Sequence, residues 1–230
     1  MTITDVEGFL ASGVASGIKN NKELDLALVT TEDQQPVPAA AVFTSNKMTA
    51  APVLVSRKHL EVTGGAASTV VLNSGNANAA TGEQGLLDAE RMCQLTAQGL
   101  GCESSEVLVC STGWIGYPLP MEEVTYGIKS AIGSLKDDQG TTAAKAIMTT
   151  DTVPKNTLVK AKGFLVGGIS KGAAMLQPNM ATMLSVLTTD AVINPQEATR
   201  LLQQAVSVSF NCLTVDGAES TNDTVILLAN

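Results

Sequence analysis

One histidine, His59, is all that 230 residues hold, and a Ser-His-Asp triad would have to pass through it. Its setting, Ser56-Arg57-Lys58-His59-Leu60, puts two cations beside the imidazole and reads as a solvated helix start. Cysteines are few as well. Cys93, Cys102, Cys110 and Cys212 form no C-x-x-C pair, and one histidine cannot complete a zinc set around them. No metal is expected, and the cysteines read as small buried hydrophobes kept reduced. Aromatic side chains make up 3% of the chain, so the core must come from Ala, Val, Ile and Leu with close approaches at Gly. Basic residues are outnumbered, 14 Lys and Arg against 22 Asp and Glu, for a net charge of −8. That leaves no basic face to neutralise phosphates, which excludes nucleic acid as a partner and argues against an anionic membrane surface. No run of about twenty apolar residues is present to span a bilayer. Met1-Thr2-Ile3-Thr4-Asp5 has neither a basic nor an apolar stretch of the secretory kind, so a cytoplasmic location is expected.

What is present is a globular composition, 44% hydrophobic and 16% charged, long enough to bury a substantial core. Strands are expected at Leu24–Thr30, Ala39–Thr44, Ser68–Asn73 and Val107–Ser111, each apolar or β-branched and bounded by turn residues. Leu158–Ile169 reads as a hairpin around Lys160–Gly163. Helical periodicity appears at Gly85–Leu100, with Leu86, Ala89, Met92, Cys93 and Thr96 on one face. Further helices are expected at Met121–Leu135 and Thr141–Thr149. Asn194-Pro195-Gln196-Glu197 combines an N-cap, a first-turn proline and a third-position glutamate, opening a helix to about Ser209. Strands and helices without strict alternation predict a layered α/β or α+β sandwich, with no linker dividing it. Two near-identical tetrads recur, Met148-Thr149-Thr150-Asp151 and Leu187-Thr188-Thr189-Asp190, which duplication and chance explain equally well.

With histidine scarce, nucleophilic chemistry points to threonine. A threonine hydroxyl needs an adjacent base, and an N-terminal threonine carries one in its own α-amine. Ala181-Thr182 lies within Lys171-Gly-Ala-Ala-Met-Leu-Gln-Pro-Asn-Met-Ala-Thr-Met-Leu184. Read alone, the Ala-Thr pair is better explained by Met180–Leu187 being a buried strand after a proline turn, with Thr182 an ordinary β-branched residue. Thr112-Gly113, at a strand end, can offer a hydroxyl and a backbone N–H side by side to a developing oxyanion. Gly75–Gly82 could cradle an anion at a helix start or simply form a tight turn; it lacks the lysine and spacing of a nucleotide loop.

The 171–184 block resembles the self-processing segment of the ornithine acetyltransferase family, the glutamate N-acetyltransferases of arginine biosynthesis. Cys110–Pro120 is similar to that family's oxyanion-hole loop. Ala146–Thr152 with Pro154-Lys155 is similar to its substrate-side segment, and Asn73–Gly82 to its asparagine-rich loop. Phe210-Asn211, Val215-Asp216-Gly217 and Ser220–Thr224 match its run further down. The resemblance implies a multilayer sandwich with helices outside two sheets and cleavage at Ala181-Thr182. Residues 1–181 would form an alpha-chain region and 182–230 the start of a beta-chain region. It implies Thr182 as nucleophile, Thr112 and Gly113 as oxyanion hole, and Lys171, Thr182 and one of Thr149 and Thr150 on substrate. The implied reaction moves acetyl from N2-acetylornithine to glutamate without metal or prosthetic group, with acetyl-CoA a possible second donor. A heterotetramer of two alpha and two beta chains is implied as well. The family's chains continue past the segment matching Thr221–Asn230, where further substrate contacts lie, an acidic residue and an asparagine with a small hydroxyl residue. This chain is therefore expected to lack part of the site. A self-processing amidase and a non-catalytic fragment remain alternatives.

Overall fold

A computed structural model describes residues 1–173, 183–216 and 220–230. Among them two sheets stack face to face. The first has the strand order β1 (Phe9–Val14), β2 (Leu26–Thr31), β5 (Thr69–Asn76), β6 (Val107–Trp114). The second has the order β4 (Ala66–Ala67), β3 (Val37–Phe43), β10 (Thr224–Ala229), β9 (Leu184–Thr189), β8 (Leu165–Lys171), β7 (Lys155–Lys160). Pairing is antiparallel except for β5 with β6 and β9 with β10.

The period-2 pattern of these strands assigns each face. Ala27, Val29, Val70, Leu72, Leu108 and Cys110 point into the inter-sheet core, where they meet Ile169, Leu184, Val186, Ile226 and Leu228 of the second sheet. The alternate residues Leu26, Leu28, Val71, Val107 and Val109 face outward under helices. Those helices are α1 (Ala51–Thr63), α2 (Gly82–Leu100) and α3 (Met121–Ile132). On the far side, Ala40, Val225 and Leu227 carry α5 (Pro195–Ser207) through Ala198, Leu202 and Val206. The start of α5 is the capping box read from sequence: Asn194 Oδ1 accepts from Glu197 N at 2.9 Å and Glu197 Oε2 accepts from Asn194 N at 3.1 Å.

α4 (Gly140–Ala146) departs from the expected arrangement of helices outside the sheets. Its Ala143, Ala144 and Ala146 belong to the inter-sheet core. Only small residues allow this: a Cβ on Gly13 of β1 would stand 2.4 Å from the Thr142 carbonyl oxygen. His59 is a second departure. It lies in the second half of α1, 4% exposed, with Nδ1 2.8 Å from Val107 O and Nε2 3.2 Å from Glu90 Oε2. The cations beside it in sequence point elsewhere on the helix, and Lys58 pairs with Glu90 from the solvent side. His59 is thus a packed link between α1, α2 and β6.

Candidate active site

β6 ends in Thr112-Gly113-Trp114 alongside β5, and the register breaks at Gly75 and Asn76. Gly113 has φ +135°, and a Cβ there would lie 2.3 Å from the Gly75 carbonyl carbon. Any side chain would push the two strands apart. Glycine is required there, and it lets the strand tip turn while Thr112 stays buried.

Lys171, at the end of β8, is 2% exposed and brings Nζ to 3.2 Å from Thr112 Oγ1. An ammonium can only donate, so Thr112 is the acceptor and its own O–H remains available as a donor. Burial pushes the Lys171 ammonium below the usual lysine range, while the Asp151 and Asp223 carboxylates oppose that shift.

Asp151 holds the segment opposite. Its carboxylate accepts from Gly172 N at 2.8 Å, from Thr149 N at 3.3 Å and from the Lys155 ammonium. Burial works to raise its pKa, but the Lys155 ammonium and the two N–H groups outweigh it and hold the carboxyl below its ordinary value. One side chain thereby fixes both the Thr149-Thr150 loop and the residue after Lys171.

A third segment was not signalled by sequence. Asp25, fully buried, accepts from Ser16 N, Ser16 Oγ, Gly17 N and Lys19 N at 2.6–3.1 Å. It folds the 16–24 loop back over Gly75, and Lys19 Nζ donates to Leu24 O at 3.0 Å and Met148 O at 2.7 Å. Burial lowers the Lys19 pKa, with Glu23, Asp25 and Asp151 opposing. A lone lysine in a polar run gives no sequence signal of this role.

These segments border an open cavity of about 590 Å3 lined by Thr112, Gly113, Thr149, Thr150 and Lys171, and also by Lys19, Glu23, Gly75, Trp114 and Ile115. All five expected site residues within the described part of the chain therefore converge on one space. Ala181 and Thr182 lie outside the described residues. The next residue, Met183, donates its N–H to Asp223 Oδ1 at 2.7 Å. In the Gly75–Gly82 loop the asparagine side chains and the Thr81 hydroxyl are engaged by protein partners. Asn76 Nδ2 donates to Tyr117 O and Pro118 O, Asn78 Nδ2 to Gly85 O, and Thr81 Oγ1 to Asn78 Oδ1. Among the described residues no group of three or more His, Cys, Asp and Glu is placed to hold a metal, and no helix is long and apolar enough to cross a membrane.

Comparison with known proteins places the chain in a family. The chain is 47% identical to the arginine biosynthesis bifunctional protein ArgJ of Geobacter sulfurreducens, over 98% of its own length and 58% of that protein's. It is 48% identical to the same-named protein of Streptomyces avermitilis, over 100% of its own length and 59% of that one's. The chain thus spans less than two thirds of the length of these relatives. Among solved structures, ornithine acetyltransferase of Mycobacterium tuberculosis, complexed with ornithine, superposes with a TM-score of 0.70 at 38% identity, covering 80% of this chain and 96% of that one. The family described as ArgJ matches residues 10–230, and the chain belongs to it.

Proposed function

We propose that the whole protein transfers an acetyl group from N2-acetylornithine to glutamate, through an acetyl ester on Thr182. The observation that carries this reading is the buried contact of Lys171 Nζ with Thr112 Oγ1 at the rim of the cavity. It turns the Thr112 hydroxyl into a donor backed by a cation, which is what an oxyanion requires.

Maturation comes first. The Thr182 hydroxyl adds to the Ala181 carbonyl carbon and the amide C–N bond breaks as the acyl group moves to oxygen. Water then hydrolyses the ester, leaving a carboxylate on Ala181 and a free amine on Thr182. Residues 1–181 become the alpha-chain region and the chain from 182 the beta-chain region.

In turnover the α-amine of Thr182 takes the hydroxyl proton as oxygen attacks the acetyl carbonyl. Thr112 O–H and the Gly113 N–H hold the oxyanion. The acetyl C–N bond breaks and ornithine leaves with that proton; the glutamate amine then attacks the ester, its proton passes by way of the Thr182 amine to the threonine oxygen, and the C–O bond breaks to give N-acetylglutamate and the free hydroxyl. Lys171 serves the substrate as well as Thr112, and one hydroxyl of Thr149 and Thr150 contacts it. No metal or prosthetic group enters; acetyl-CoA as a second acetyl donor belongs to the same chemistry. Two alpha and two beta chains are the assembly proposed.

The test is ornithine release from N2-acetylornithine by the whole-length protein, with and without glutamate. Release beyond one equivalent per enzyme that needs glutamate and yields N-acetylglutamate is expected. Equal release without glutamate would make the protein a self-processing amidase instead.

A further inference from the structure

Thr112 sits in the first sheet, and Met183, the residue after Thr182 in sequence, immediately precedes β9 of the second. The gap between them is set by how two sheets pack, and apolar packing is non-directional. Acyl transfer needs nucleophile and oxyanion donor about 3 Å from one carbonyl group. Two adjacent buried residues span that gap with directional bonds. Asn222, 6% exposed, donates from Nδ2 to Ser111 O at 2.9 Å and to Ala77 O at 2.6 Å. Ser111 immediately precedes Thr112. Asp223, fully buried, accepts from Met183 N at 2.7 Å, and Met183 immediately follows Thr182.

The pair is itself held. Asn222 N donates to Ser220 Oγ at 3.1 Å, Thr224 Oγ1 to Asn222 O at 2.9 Å, and Thr44 N to Asp223 O at 2.8 Å. Thr224 N then donates to Met183 O at 3.0 Å, and β10 continues beside β9 in parallel register from Thr224 opposite Leu184. A rigid corner is thus bonded on one side to the residue before Thr112 and on the other to the residue after Thr182. In a chain cut before Thr182, the Asn222 amide also bridges the pieces, with its donor on the second and both acceptors on the first.

We propose that Asn222 and Asp223 are positioning residues, a clasp that sets the separation of the Thr182 nucleophile from the Thr112 hydroxyl. This rests on the reading of Thr182 and Thr112 given above. The clasp acts through geometry: Asp223 contributes an acceptor oxygen for Met183 N–H, which asparagine can also supply.

The experiment is single-turnover acetylation of the whole-length protein by N2-acetylornithine without glutamate, reading rate, KM and the fraction of chains acylated. Asp223→Ala and Asn222→Ala are expected to slow acylation about 10²-fold with KM within about 3-fold. Asp223→Asn should recover most of the rate. If a variant stays uncut, the rate of cleavage of its folded precursor is read, with the same ordering expected. Asn222→Ala carries the test where Asp223→Ala fails to fold. Acylation of both alanine variants within about 3-fold of the parent would overturn the clasp, as would a smaller acylated fraction at the parent's rate. An asparagine variant as slow as alanine would also overturn it, making charge beside Lys171 the role of Asp223. Thr182→Ala separates the two levels. If it is still acylated, the nucleophile reading fails. If it is inert while Asp223→Ala keeps its rate, only the clasp fails.

Discussion

Met148-Thr149-Thr150-Asp151 and Leu187-Thr188-Thr189-Asp190 differ by one residue and end in opposite roles. In the second, at the end of β9, every polar side chain is bonded to backbone. Thr188 Oγ1 donates to Ile3 O and Thr189 Oγ1 to Leu165 O, both at 2.7 Å, and Asp190 Oδ1 accepts from Leu165 N at 2.6 Å. In the first, an irregular loop after α4, both threonines are exposed and line the cavity, while Asp151 gathers three donors beneath them. One tetrad is framework and the other lines the candidate site. The environment of each hydroxyl decides its use.

The same change, threonine to valine, tests this at both ends of the molecule. Thr112→Val keeps the shape and removes the hydroxyl proposed as oxyanion donor. In whole-length protein, kcat is expected to fall about 10²–10³-fold with KM little changed. A loss confined to KM would make Thr112 a turn residue.

Asp151→Ala is the next largest effect, about 10²-fold in kcat/KM, because the Thr149-Thr150 loop and Gly172 lose their shared acceptor. Asp190→Ala should leave kcat/KM per folded molecule within about 3-fold. The sign of the pH dependence follows from the Asp151 pKa, which is depressed in the folded state. Its contribution to stability is complete above the ordinary carboxylate range and is lost as pH falls through the lower folded value. Acid melts of parent and Asp151→Asn should therefore converge at the acid end, and parallel curves would contradict the assignment.

Thr149→Val and Thr150→Val come third. On the proposed reading one of the two should raise KM about 10-fold with kcat nearly kept, and the other should do neither. Steady-state kinetics on the pair decides which. Thr188→Val is the smallest in activity: about 1 kcal/mol of stability is lost with the bond to Ile3 O, read as a lower Tm at unchanged kcat.

Sequence carried the parts of this fold that are local. The α5 start needs only Asn194, Pro195 and Glu197, and the β7–β8 hairpin needs only its own alternation and turn. Three elements gave no clear pattern: α1 opens on Ala-Pro without a side-chain cap, and β1 and β10 are buried on both faces. Long-range contact decided the rest. His59 looks solvated from its neighbours and is buried because Glu90 and Val107 lie 31 and 48 residues away. Of the residues lining the candidate site, Thr112, Gly113, Lys171, Thr149 and Thr150 were named through family resemblance. Lys19 and Glu23 were not, because Asp25 folds their loop into place. Asn222 and Asp223 were visible as part of a motif, but only the meeting of the two sheets shows what they bond.

The most direct measurement is the intact-mass spectrum of whole-length protein after brief mixing with N2-acetylornithine, glutamate withheld. The account predicts two pieces, one ending at Ala181 and the other beginning at Thr182, with a single acetyl group added to the second. An uncut chain, or an acetyl group on any residue other than Thr182, would contradict it.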